Sequence, residues 1–175
     1  MNQRLSMKII DNFLPEEEFE SIRSLVMGLN FPWFYFPGTV TKDDGQYYMV
    51  HMFFQPEVGT NSNHVHIWDN FMGKVGAVQC KRVKANLTFP TLEHEPTAYH
   101  IDYPDLNQYA KMTLKTAVFF VTTNNGYTEF KNGVRVPSVA NRVCIFNSNL
   151  MHRGVTHTEG EHQRIVVNFN YYETN

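Results

Sequence analysis

Apolar positions in the first part of the chain recur at helical steps. Phe19, Ile22, Val26 and Leu29 stand three or four residues apart, which predicts one buried stripe on a helix over Pro15 to Leu29. Pro15 suits the first helical position, where its missing N–H would have no intrahelical partner. Glu16, Glu17 and Glu18 set negative charge against the positive end of the helix dipole, and Gly28 and Asn30 are stop signals. A second helix is predicted over about Asn63 to Val78. Val65, Trp68, Met72 and Val75 share its apolar face, Phe71 lies beside them, and Ser62 or Asn63 caps it. Between the helices, Phe31 to Gly38 is aromatic and turn-rich; Asp43-Asp44-Gly45 is a turn signal, and Tyr47 to Phe54 reads as a strand.

From Cys80 the period changes to two. Val83, Ala85, Leu87 and Phe89 alternate with Arg82, Lys84, Asn86 and Thr88, the pattern of a strand with one apolar face. Further strands are predicted near Leu114 to Thr122, Tyr127 to Phe130, Arg142 to Phe146 and Arg164 to Tyr171. Asn124-Asn125-Gly126, Lys131-Asn132-Gly133 and Pro137 to Asn141 supply turns. Two helices followed by many short strands argue an α+β fold, mainly β, with a sandwich or barrel core. There is no internal repeat or low-complexity segment.

Composition narrows the class. A chain of 175 residues with 42% hydrophobic and 14% aromatic residues is expected to form one domain, residues 1–175, with a sizeable core. The charged fraction is 18%, the net charge is -2, and no basic stripe is present, which argues against nucleic acid as a partner. Cys80 and Cys144 each sit in an apolar stretch and read as buried free thiols, not as a disulfide framework. Met1 to Leu5 contains no apolar signal region, and no run approaches the ~18 apolar residues of a membrane span. The expectation is a soluble, cytoplasmic protein without a membrane partner. The pattern specifies no oligomeric state.

The candidate chemistry lies in His100-Ile101-Asp102, in His152 and in Arg164. Two imidazoles and a carboxylate are the ligand set of a non-haem Fe(II) centre with open coordination positions. On a strand, His100 and Asp102 point to one face, so both side chains reach one ion, while His152 must come from another strand. Arg164 is placed to hold an anionic co-substrate. His51, His64, His66 and His94 read as surface or hydrogen-bonded histidines. His157 and His162 flank a turn at Glu159-Gly160-Glu161 and read as solvent-exposed. Either is an alternative to His152 as third ligand.

The surrounding frame is ordered. It runs from His100-Ile101-Asp102 through Gly126-Tyr127-Thr128-Glu129-Phe130 and Asn141 to His152-Arg153-Gly154, and ends on the strand that Arg164 opens. Over residues 80 to 172 this set resembles the Fe(II)/2-oxoglutarate-dependent dioxygenases, prolyl-4-hydroxylase-like branch, with a weaker likeness at Ile9 to Pro15. The resemblance implies a double-stranded β-helix (jelly roll) with N-terminal helices, about residues 1–79, packed on one sheet. It implies His100, Asp102 and His152 as metal ligands and catalytic centre, and Arg164 on the distal carboxylate of 2-oxoglutarate. A guanidinium suits that task, because its fork matches a carboxylate bidentately and keeps its charge in a dry site. Where many family members place a tyrosine on that carboxylate, Lys115 to Phe120 offers phenylalanine; the replacement donor is read as Thr116, Asn86 or Thr88. The polar face of the strand after Cys80 would line the cavity, although Arg82 and Lys84 read more simply as solvated.

Implied with the family are Fe(II), 2-oxoglutarate as co-substrate, O2 and supporting ascorbate. The implied reaction is hydroxylation of a C–H bond coupled to decarboxylation of 2-oxoglutarate to succinate. The substrate is read as a prolyl or other residue in a peptide, or as a small amino-acid-like molecule. Trp33 to Phe36 read as core packing, and Tyr103 to Tyr109 as the active-site mouth, with Asn107 and Gln108 as donors to a peptide. Two other classes fit the same triad: a zinc hydrolase, and a non-catalytic jelly-roll binding module.

Overall fold

The alternating segment after Cys80 lies within a long strand near the middle of the larger of two sheets. The computed structural model describes residues 7–38 and 46–173. Its strands in chain order are β1 (Lys8–Ile10), β2 (Phe34–Pro37), β3 (Tyr47–Gln55), β4 (Thr60–Asn61), β5 (Ala77–Thr88), β6 (Leu114–Phe120), β7 (Tyr127–Phe130), β8 (Arg135–Pro137), β9 (Arg142–Asn147), β10 (His152–Val155) and β11 (Arg164–Glu173). The eight-stranded sheet has the order β1-β9-β6-β11-β5-β3-β2, with β4 beside β3. The other sheet is β10-β7-β8.

Period two decides what each face of the large sheet meets. Ile165, Val167, Phe169 and Tyr171 of β11 share one face with Val83, Ala85 and Leu87 of β5 and with Ala117 and Phe119 of β6, and all are buried. Against them pack Phe19, Ile22 and Val26 of α1 (Glu16–Met27) and Phe71 of α2 (Asp69–Lys74). The Phe71 ring stacks on Phe169 at 3.9 Å between centroids. The opposite face carries Val118, Phe120, Cys144, Phe146 and Val166, which close on Phe130 and Val136 of the small sheet. Each fully buried side chain of this size contributes about 1.5–3 kcal/mol relative to exposure, so these two cores hold the layers together.

The expected double-stranded β-helix is not formed. Among the described residues, neither sheet closes into a barrel, and the small sheet has three strands. The segment beside β10 that would extend it, residues 96–102, makes only isolated bridges, at Pro96 and His100. Proline has no N–H for a ladder, and Pro96 and Pro104 bracket this segment. The α+β composition and the packing of the N-terminal helices on one sheet are as expected.

Other boundaries also move. Gly28 takes an extended conformation and ends α1, so Leu29 leaves the stripe and is fully exposed. The second helix is shorter than predicted. A 3-10 turn over Val65–Trp68 leads into α2, and Gly76, at φ 70°, turns the chain into β5. β1 and β2 are strands that periodicity did not reveal. Cys80 is half-buried and Cys144 buried, both free. Asp43-Asp44-Gly45 lies outside the described residues. Among the described residues, no helix is long and apolar enough to cross a membrane.

Candidate metal centre

His152 opens β10, and His100 lies directly across from it. The two residues exchange both backbone bonds, His100 N to His152 O at 2.9 Å and His152 N to His100 O at 3.0 Å. Cross-strand neighbours on one face stand close enough for their side chains to meet, and the two imidazole centroids are 4.7 Å apart. Asp102 follows His100 by two residues. The ligand atoms of His100, Asp102 and His152 all lie within 4.8 Å of one another. Three mutually cis ligands at ~2.1 Å from one ion stand about 3 Å apart, so side-chain adjustments of up to about 2 Å gather them.

Each imidazole has one nitrogen already assigned. His100 Nδ1 faces Ala98 O at 3.1 Å, and His152 Nδ1 faces Leu150 O at 2.9 Å. A carbonyl only accepts, so each Nδ1 carries the proton and each Nε2 keeps its lone pair for a metal. Burial lowers the His100 pKa, with His152 adding to the effect, which favours the neutral ligand form. The His100 segment is clipped to the small sheet from outside the cavity. Tyr99 Oη donates to Glu129 Oε2, which also accepts from Arg153 Nε.

Asp102 is held on both oxygens. Arg82 Nη2 donates to Oδ1 at 2.9 Å; Thr116 Oγ1 and Asn170 Nδ2 donate to Oδ2 at 2.8 and 2.9 Å. Burial works to raise its pKa, but the Arg82 guanidinium and the other donors outweigh burial and hold it well below the usual carboxylate range. Thr116 is thus turned to Asp102, and it does not line the cavity.

The triad opens on a cavity of about 550 Å3. Arg82, Lys84, Asn86 and Thr88 line it from β5, and Arg164, Val166 and Asn168 from β11. The polar face of β5 is therefore cavity wall, and Arg82 and Lys84 are not a solvated strand face. Arg164 is buried, and Nε donates to Ser138 Oγ at 2.9 Å. Its guanidinium lies 6.0 Å from the Phe120 ring centroid. Nη2 has no partner among the described residues, and neither do Asn86 Oδ1 and Thr88 Oγ1. Burial alone lowers the Arg164 pKa to about 10, since no carboxylate stands beside it. Gly126 makes room for this side chain: a Cβ there would stand 2.8 Å from Arg164 Cδ.

The structure brings together His100, Asp102, His152, Arg164 and Asn86 around one cavity. His157 is not surface-exposed as expected. It is 1% exposed, Nε2 faces His162 O, and it stands outside the triad. His51 is buried between Pro32 O and Ser62 Oγ. Pro104 lines the cavity, whereas Asn107 caps α3 (Gln108–Thr113) by accepting from Ala110 N. Trp33 packs on the core, but Phe34, Tyr35 and Phe36 are exposed on the edge strand. Asn168, Asn170, Ser138 and Tyr48 were missed. The first two carried a signal: Arg164, Val166, Asn168 and Asn170 form the period-two partner set to the apolar face of β11.

No protein-family model matches the chain, and neither does any curated protein. Solved structures do match. A viral collagen prolyl hydroxylase from Paramecium Bursaria Chlorella virus-1, bound to 2OG, is 14% identical, with 97% of this chain and 96% of that chain covered at TM-score 0.59. A Pseudomonas putida prolyl-4-hydroxylase is 10% identical, with 98% and 94% covered at TM-score 0.64. The non-heme alpha ketoglutarate dependent carbocyclase SnoK from nogalamycin biosynthesis is 14% identical, with 97% and 80% covered at TM-score 0.67. The chain thus shares its fold with 2-oxoglutarate–Fe(II) oxygenases, several of them prolyl hydroxylases, and carries a His-Asp-His cluster suited to a metal.

Proposed function

We propose that residues 1–175 form one Fe(II)- and 2-oxoglutarate-dependent oxygenase domain that hydroxylates a C–H bond of a small molecule or peptide. The observation that carries this reading is Arg164: a buried guanidinium with an unpartnered Nη2 and no counter-ion, in the same cavity as the triad. A dicarboxylate that reaches from the triad to Arg164 supplies the missing acceptor. Asn86 and Thr88 offer further unpartnered atoms there. His100, Asp102 and His152 would hold the metal through three ligands, a donor set that suits Fe(II). Bound at this site, Fe(II), 2-oxoglutarate and O2 supply the oxidation of substrate C–H to alcohol, with succinate and CO2 as co-products.

The chain's own residues position and insulate. Ala98 O and Leu150 O fix both imidazole tautomers. Arg82, Thr116 and Asn170 orient Asp102 and keep it ionised. A zinc hydrolase would leave Arg164 without a role, and Asp102 is the only carboxylate among the described residues of the cavity wall, so no free general base stands beside the triad.

Succinate formation tests the reading. With Fe(II), ascorbate, O2 and 2-oxoglutarate, the protein is expected to release succinate slowly alone and faster with a substrate drawn from proline peptides and free amino acids. His152→Ala abolishes both. Absence of succinate throughout, together with no binding of 2-oxoglutarate to the metal-loaded protein, would move the non-catalytic binding module to first place.

A further inference from the structure

Arg82 holds Asp102 and Arg164 faces the co-substrate end, but the third cation of the cavity, Lys84, has no such task. It is half-buried on β5, and its Nζ donates to Tyr48 Oη at 2.9 Å. The ammonium stands 5.1 Å from the Tyr48 ring centroid. A phenol contributes a hydrogen-bond acceptor and a ring face but no countercharge. Tyr48 belongs to β3, two strands and roughly 10 Å from β11 at the usual spacing, so Lys84 leans away from the strand that carries Arg164.

Among the described residues, the small sheet meets β6, β9 and β11 through the second core and does not reach β3, where Tyr48 is itself buried. The register places Phe36 opposite Tyr48 and therefore on the same face, with its ring 5.7 Å away and half its surface exposed. Lys84 and the triad line the same cavity, with Tyr48 at the β3 side of it.

Charge points the same way. Among the described residues, three cations line the cavity against one carboxylate, which Arg82 already pairs. A divalent metal and a dicarboxylate co-substrate cancel one another, so a positive excess remains after both bind. Burial, with Arg82 nearby, pushes the Lys84 pKa down to about 8, against a weaker opposing pull from Asp102. An arriving anion relieves that penalty.

Resting on the oxygenase reading, we propose that Lys84 is a specificity-determining residue that receives a carboxylate of the primary substrate, which makes that substrate a small carboxylic acid, such as a free amino acid, and not an uncharged peptide segment. Protein loaded with Mn(II) and 2-oxoglutarate is titrated calorimetrically with free L-amino acids, their C-terminal amides and capped proline peptides. At least one free acid is expected to bind ten times more tightly than its amide. Lys84→Gln narrows that ratio below three, and Lys84→Arg keeps it. Amides or capped peptides that bind as well as acids overturn the proposal, as does the failure of every acid to bind at millimolar concentration. A larger loss of 2-oxoglutarate than of acid in Lys84→Gln overturns it too, by giving Lys84 to the co-substrate. Failure of 2-oxoglutarate to bind wild-type protein removes the oxygenase reading itself, whereas its binding without acid discrimination removes only the role of Lys84.

Discussion

Replacing Arg164 by methionine should make the ligand-free protein more stable while blunting its response to 2-oxoglutarate. The two effects have one cause. The guanidinium is buried, with Ser138 Oγ on Nε and the Phe120 ring beneath, but with no anion. Burial lowers its pKa from 12.5 to about 10. At ~1.4 kcal/mol per pKa unit that corresponds to about 3 kcal/mol of penalty on the buried cation. Methionine removes the penalty and forfeits about 1 kcal/mol for the Ser138 bond and about 0.5 kcal/mol for the aromatic contact. A net gain of about 1–2 kcal/mol remains, or roughly 2–8 °C in Tm for a chain this size. Wild-type protein with Mn(II) gains about 2.7 kcal/mol from 2-oxoglutarate at one hundred times its Kd. Truncating one partner of a buried charge pair removes about 2–5 kcal/mol of binding, so the variant's stabilisation at that concentration should fall below about 1 kcal/mol. Thermal unfolding with and without 2-oxoglutarate measures both. A variant less stable than wild type by more than about 1 kcal/mol, yet still shifted by 2-oxoglutarate, would refute the view of Arg164 as a stored, unpaired cation.

Three further outcomes are expected. His152→Ala should lose stoichiometric Mn(II) binding, read by electron paramagnetic resonance, whereas His157→Ala should keep it and lose about 1–3 kcal/mol of stability as a buried side chain; the reverse pattern would exchange their roles. Gly126→Ala should retain metal but weaken 2-oxoglutarate at least tenfold, because the added Cβ stands 2.8 Å from Arg164 Cδ; an unchanged Kd would show that the side chain yields without cost. His51 and His157 are both pushed below 6.5 by burial. The unfolded chain therefore binds more protons, and stability should be full above pH 6.5 and fall as the pH drops through the folded pKa values. The urea midpoint should decrease between pH 7.5 and 5.5, and less so in His51→Gln; a flat midpoint would count against both histidines being buried neutral.

The elements legible beforehand were those whose burial repeats at a fixed step. α1 and the alternation along β5 follow from side-chain direction alone, whereas His100 and Asp102 meet in a segment that forms only isolated bridges and not the strand their spacing suggested. β1 and β2 escaped notice because their burial shows no alternation: every residue of both strands is exposed. His157 was misread because the turn folds back on it: Nε2 faces His162 O and the ring is buried, which the spacing alone does not show. Thr116 illustrates a subtler limit. Its position near the site was expected, but only the packing of β6 beside β11 turned the hydroxyl to Asp102.

Local sequence, then, settled which residue types stand at i and i+2 and which faces are apolar, because those depend on backbone geometry within one element. Tertiary structure decided what that sequence left open. It brought His152 across from His100, and it left Arg164 buried without an anion and Lys84 donating to the Tyr48 hydroxyl. It also left both sheets open. Such features depend on how separate strands pair and what each excludes from water, and no single stretch of chain encodes the dielectric or the partner that its side chains will meet.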